Sequence, residues 1–302
     1  MEEYPKTIME FETRFNTEES CREYLFQLRW PEGFSCPRCQ NKKAWSLKKG
    51  LYQCAACNHL VSVIAGTIFR GTHKPLVLWF RAIGWLTGQK NGASALGIQK
   101  IMGLGSYKTA WTWLHKLRRA MVAPGRERLA GLVEVDEGYI GGEKPGKRGR
   151  GAAGKSLLVI AVEIKEAGIG RIRLHRINKA SSEHLNRAVT RIVHKGSVIQ
   201  TDGWQGYNQL PSLGYRHEVI HQESESREDL LPNCQRVLSL LKRWLLGTHQ
   251  GAVSHAHIDY YLDEFTFRFN RRTSTHRGKL FYRLLQNAVK IEPTTYNQIK
   301  KT

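Results

Sequence analysis

Four cysteines in two C-x-x-C pairs, Cys36-Pro37-Arg38-Cys39 and Cys54-Ala55-Ala56-Cys57 with 14 residues between them, constrain this chain more than any other feature. Each pair makes a knuckle that aims two sulfurs at one point. Four thiolates so placed suit a closed, tetrahedral, structural zinc site, and the short apolar runs at 44–47 and 51–53 predict a ribbon hairpin between the knuckles. Two pairs at this spacing argue against a redox dithiol. Cys21 and Cys234 stand alone, so in a reducing compartment no disulfide framework is expected. His59, beside the second knuckle, reads as a surface histidine because four sulfurs already fill the coordination sphere.

The charge balance narrows the partner. With 47 Lys+Arg against 26 Asp+Glu the chain carries a formal charge of +21, a field that favours polyanions. At 41% hydrophobic and 10% aromatic residues over 302 positions, the chain is too apolar for a disordered basic tail and long enough for two or three packed domains. No run reaches the roughly 18 to 20 apolar residues of a membrane span, and the acidic start MEEYPKTIMEFETRF lacks a signal-peptide pattern. A cytoplasmic location and no membrane partner are expected.

After the ribbon the periodicity becomes helical. Pro75 opens a helix over 76–86 whose aromatic stripe faces a core. A short helix over 94–104 ends at a Gly-rich turn, and a second begins at Ser106, an N-cap residue, and runs to Arg119. This is the helix-turn-helix pattern, in which the first residues of the second helix enter the major groove. Lys108 and Trp111 lie there, and Lys116, Arg118 and Arg119 form a basic end suited to phosphates.

From about residue 130 strands take over, at 132–136, 157–163, 169–177 and 197–202, with a helical stretch at 181–194. The combination predicts a mixed α/β sheet. Residues 144–155, Gly-rich and basic without an acid, read as a flexible loop, and the chain from about 233 reads as mostly helical. Asp136 and Asp202 each stand where an apolar strand meets a Gly-containing turn. If the strands are neighbours, the two carboxylates converge, and such a pair holds Mg²⁺ or Mn²⁺ for in-line phosphoryl transfer. Trp204 and Tyr207 suit either base stacking or core packing. The stretch 265–283, with Arg271 and Arg272, suits phosphate contacts as well as a solvated helix face.

Six segments carry a resemblance: CPRC…CAAC, GTIFRGTHKPLVLWF, SYKTAWTWLHKLR, VEVDEGYIGG, IQTDGWQGY, and LLKRWLLGTHQG followed by HIDYYLDEFTFRFNRR. In this order, over about 30–290, they resemble the bacterial insertion-sequence transposases of the DDE superfamily that carry an N-terminal zinc ribbon. The resemblance implies an RNase H-like catalytic domain, strand transfer on double-stranded DNA at element ends and target, and two divalent ions. It makes Asp136 and Asp202 the first two catalytic carboxylates and matches Lys242 to the family's downstream lysine. The third ligand departs from the pattern, since residues 232–243 contain no acid. Gln235 shares a helical face with Lys242 at i, i+7, whereas Asn233 has a residue type the family accepts and is preferred on that ground. Glu264 reads as structural. The expected organisation is a zinc ribbon over 1–70, a helix-turn-helix segment over 71–125 and an RNase H-like domain over 126–292, working as a nucleoid-associated homo-oligomer on DNA. The competing reading is a DNA-binding protein whose catalytic domain is degenerate and inactive.

Overall fold

Capping chemistry sets where the first helices begin. In the computed structural model, which describes residues 3–141, 155–221, 230–251 and 253–301, Thr7 Oγ1 accepts from the Glu10 N–H, and Thr17 with Ser20 closes a capping box. These caps open α1 (Ile8–Arg14) and α2 (Glu18–Arg29). The ribbon strands β1 (Ala44–Leu47), β2 (Leu51–Cys54) and β3 (Leu60–Ser62) follow, then α3 (Leu76–Gly88), α4 (Ala95–Ile101) and α5 (Tyr107–Ala120). Next come β4 (Leu132–Ile140), β5 (Ser156–Lys165), β6 (Gly168–Ile177), α6 (Ser182–Ile192), β7 (Val198–Thr201) and β8 (Arg216–Val219). The chain closes with α7 (Pro232–His249), α8 (Ile258–Phe269), α9 (Arg277–Ala288) and α10 (Tyr296–Lys301).

The chain divides into two compact units, residues 1–124 with 274–302, and residues 125–273. The sequence reading kept the last helices with the catalytic domain; they pack instead in the first unit. There Phe11, Phe15, Tyr24, Phe80 and Phe281 join in edge, tilted and stacked contacts at 4.9–6.4 Å between ring centroids, which ties α9 to α1, α2 and α3. Pro75 opens α3 as expected, and Trp79 stacks on Trp113 of α5 at 3.8 Å. The ribbon is an antiparallel three-stranded sheet in the order β1-β2-β3, one strand more than the expected hairpin. Its Tyr52 packs against Phe26, Trp30 and Phe34.

The second unit is built on a five-stranded sheet in the order β6-β5-β4-β7-β8, with β4–β5 and β5–β6 antiparallel and β4–β7 and β7–β8 parallel. This is the expected RNase H-like mixed sheet, with β8 as a strand that the residue pattern did not announce. One face, carrying Val133, Val135, Val159 and Ile199, is covered by Leu185, Val189 and Ile192 of α6. Alternation along β4 sends Glu134, Asp136 and Gly138 to the other face, where α7 lies with Cys234, Val237, Leu238 and Leu241 buried.

Two details depart from the sequence reading. The strand does not stop at Asp136 but continues to Ile140, because Glu137 to Ile140 pair with Val159 to Ser156. Gly138 is therefore a strand residue rather than a turn former, and its missing side chain makes room for α7: a Cβ there would sit 2.6 Å from Leu238 Cδ2 and 3.2 Å from Ile160 Cδ1. The basic loop at 144–155 falls, except for Lys155, outside the described residues. Gly138→Val forces a branched side chain into this contact and should destabilise the protein by about 1–3 kcal/mol, the usual range for overpacking. A lowered urea midpoint at unchanged m-value is the measurement that checks it.

Candidate active site

The parallel ladder between β4 and β7 brings the two aspartates together. Its register pairs Leu132 with Val198, Val133 with Ile199 and Glu134 with Gln200, and two further steps place Asp136 beside Asp202. There β7 has ended at Thr201 while β4 runs on, so the edge of β4 opens at Asp136. Gly203, at φ +81°, turns the chain away where any Cβ would meet Val219 at 2.7 Å. Asp202 Oδ1 accepts from the Trp204 N–H at 3.0 Å, an Asx turn that orients the exposed carboxylate.

Asp136 is 8% exposed. Its Oδ1 accepts from the Glu137 N–H at 2.8 Å, and its Oδ2 accepts from Gln235 Nε2 at 2.7 Å. Burial, then the negative charges of Glu137 and Asp202, raise its pKa to about 7 against the opposing pull of these two hydrogen bonds. Glu137 points the other way and accepts from the Tyr207 hydroxyl at 2.8 Å. Tyr207 is fully buried in the α6 core, with its phenol held protonated by burial and by that carboxylate. Tyr207 is thus a core residue out of reach of any base, and the half-buried Trp204 packs against the same core.

Of the two candidates for the third ligand, the structure brings Gln235 to Asp136. Asn233 faces a different carboxylate: its Nδ2 donates to Glu134 Oε1 at 2.5 Å, and the N–H groups of Asn233 and Cys234 donate to Glu134 Oε2 at 3.1 and 3.2 Å. Lys242, two turns beyond Gln235, is exposed. Residue reasoning missed Glu134, although its signal was present, since i, i+2 spacing on a strand puts it on the face of Asp136. Glu264 is fully buried and takes both Nε and an Nη of Arg268 at 2.9 Å, which agrees with its structural reading.

In the ribbon, Sγ atoms of Cys36, Cys39, Cys54 and Cys57 lie within 4.8 Å of one another, the arrangement of a metal site. The two knuckles repeat one geometry: Gln40 and Asn58 take positive φ of 61° and 56°, and their N–H groups bond back to the carbonyls of Cys36 and Cys54. Burial favours the neutral thiol at Cys36 and Cys54, but knuckle N–H groups of Arg38 and Cys39, and of Ala56 and Cys57, outweigh it and lower both pKa values, that of Cys36 to about 6. His59 is not one of the four.

Comparison with known proteins places this assembly. Residues 128–270 match the family model of the ISXO2-like transposase domain, and residues 16–60 match that of the transposase zinc-ribbon domain. The chain thus carries an ISXO2-like transposase domain behind a transposase zinc ribbon. A relative described as an uncharacterized protein in transposable element ISH50 of Halobacterium salinarum is 26% identical over 277 residues, spanning 84% of this chain and 91% of its own length. Among solved structures, a simian T-cell lymphotropic virus intasome with PP2A regulatory subunit B56 gamma aligns at TM-score 0.34 and 14% identity over 66% of this chain and 74% of that one. The Mos1 strand transfer complex aligns at 0.28 and 12% over 70% and 75%. Overlays this loose transfer no residue roles.

Where a helix-turn-helix was expected, the chain forms two helices, α4 and α5, joined through Gly103 and Gly105. Lys108 is exposed with its ammonium 4.0 Å from the Tyr296 ring centroid, while Trp111 is half-buried against His115 and Tyr296. The basic end corrects the expectation. Arg118 is 1% exposed, so no phosphate reaches it; Lys116 is half-buried and donates to the Ile68 carbonyl, and burial lowers its pKa. Arg119 is exposed but donates to Thr294 Oγ1 at 2.5 Å. Arg271 and Arg272 lie over Phe267 and Phe269 and donate to main-chain carbonyls, so packing of the α8 end is their observed role. Among the described residues, no helix is long and apolar enough to cross a membrane.

The raised pKa of Asp136 has a consequence for stability. The folded protein keeps a proton there that the unfolded chain loses near the ordinary carboxylate value of 3.8. This residue's contribution therefore weakens the fold as pH rises from about 4 to about 7. In magnesium-free buffer, the stability of Asp136→Asn relative to wild type should climb across that window and level off above it, as read from denaturant unfolding at each pH.

Proposed function

We propose that this transposase binds the ends of its insertion sequence and joins them to target DNA by metal-dependent strand transfer, with Asp136, Asp202 and Gln235 as its catalytic residues. The observation that carries this reading is the convergence of the three side chains at the open edge of β4. The site suits a divalent cation by its own chemistry. Two carboxylates and an amide form an all-oxygen donor set, and the buried Asp136 feels two neighbouring negative charges, which a cation would relieve. Mg²⁺ or Mn²⁺ bound there would activate the attacking oxygen and stabilise the leaving one.

The residues divide the work. Asp202, exposed and oriented by its Asx turn, faces the DNA side, and Asp136 holds the buried side with its second oxygen fixed by Gln235. The amide of Gln235 supplies an oxygen donor without charge when it turns toward a cation. Lys242, exposed along the same helix face, suits a phosphate of the bound strand. End recognition rests on the start of α5, where Lys108 and Tyr107 are exposed, and the net charge of +21 supplies attraction to the duplex that is independent of its sequence. In this reading the protein acts in the cytoplasm, as a homo-oligomer that holds two DNA ends. The ribbon metal is zinc, closed off by four thiolates and structural.

A strand-transfer assay with Mg²⁺ or Mn²⁺ and the element's terminal repeats tests the catalytic assignment. Asp202→Asn and Asp136→Asn should abolish transfer while end binding persists. Gln235→Ala should lose at least about tenfold more activity than a surface substitution, in line with the loss of one charge-assisted contact, and Gln235→Glu should retain or raise activity. Wild-type-like transfer by Asp202→Asn would refute the site, and a wild type that binds ends but never transfers them would favour the inactive DNA-binding alternative. For the ribbon, elemental analysis of protein purified without chelator should find one zinc per chain, and Cys36→Ser should lose it and unfold the ribbon.

A further inference from the structure

We infer that Glu134 is a positioning residue for the reaction: by binding the start of α7 from the neighbouring strand, it sets where Gln235 meets Asp136. This inference rests on the active-site reading above. The start of α7 lacks a cap of its own, since its N-cap residue is Leu231 and no side chain of the N-cap bonds back. Pro232 brings no N–H, so the first orphan donors are those of Asn233 and Cys234. Both point to Glu134 Oε2, at 3.1 and 3.2 Å, and the Asn233 amide takes the other oxygen. Glu134 is 6% exposed and forms no ion pair among the described residues. A buried carboxylate of this kind is tolerated because three N–H donors and the positive end of an 18-residue helix stabilise it.

The placement joins this cap to the active site. Glu134 and Asp136 project from one face of β4, two residues and so about 6.5 Å apart. They engage Asn233 with Cys234, and then Gln235, in the same order along α7. Two carboxylates thus fix the helix against the strand as two pins fix a plate, and the second pin holds only while the first sets the helix start. The geometry also explains why Asn233, though of a suitable type, is not the ligand: its amide is engaged by Glu134.

Glu134→Gln keeps the volume, removes the charge and turns one acceptor into a donor facing donors. In the full chain with its ribbon metal retained, exchange of the Asn233 and Cys234 amides should accelerate about tenfold or more without divalent ions, as expected for a lost charged hydrogen bond. Mn²⁺ affinity at the Asp136–Asp202 site should fall several-fold, and kcat for strand transfer should fall with KM for DNA ends unchanged. In a Gln235→Ala background, Glu134→Gln should weaken Mn²⁺ binding little further, since the two act as one unit. Unchanged amide exchange would overturn the inference outright. Faster exchange with unaltered Mn²⁺ affinity would reduce Glu134 to a helix cap and overturn its positioning role. A wild type that binds no Mn²⁺ would refute the active-site reading, while the exchange measurement still decides whether Glu134 holds α7.

Discussion

The parallel pairing of β4 with β7 is the contact on which the second unit depends. Three matched residues align the strands, and from that alignment follow the meeting of Asp136 with Asp202 and the open edge where β7 stops and β4 does not. A slip of one residue would send Asp136 to the α6 core and bring Glu137 to the α7 face, because side chains alternate along a strand. The Val133 and Val135 contacts with α6 oppose that slip, since they would exchange places with carboxylates. Hydrophobic sorting of the two faces of β4 and the position of the acidic site are therefore one constraint.

A neutral amide beside two aspartates alters the electrostatics of the site. A third carboxylate next to the buried Asp136 would add repulsion where Glu137 and Asp202 already raise its pKa. Gln235 instead donates a hydrogen bond that favours the charged form. The site is thereby less strained, and it carries less negative charge than three carboxylates would.

The positive charge of the chain exceeds what its surface offers to DNA. Arg29 donates to the Ser62 and Val63 carbonyls and lies over Trp30, Arg173 is 6% exposed and donates to the Glu127 carbonyl, and Arg118 is buried outright. The Arg29 and Arg173 guanidinium groups satisfy main-chain carbonyls, work that suits their several donors. A net charge of +21 thus signals affinity for a polyanion without naming the residues that touch it.

Local chemistry was legible in the residues themselves. The C-x-x-C spacing determined which four sulfurs meet, because each knuckle is closed within five residues; Pro75 and the strand-like runs marked their elements for the same reason, and the two aspartates stood out beside their glycines. What depended on partners distant in sequence was not legible. Whether the strand ended at Asp136 was decided by pairing with β5, whether Asn233 or Gln235 faced the site by the carboxylate of Glu134, and whether Arg118 met solvent by the packing of α5. Residue type and spacing carry information over one or two turns of chain, whereas burial and register are set by segments about 100 residues apart, as Glu134 and Asn233 are, and only the folded chain brings those together.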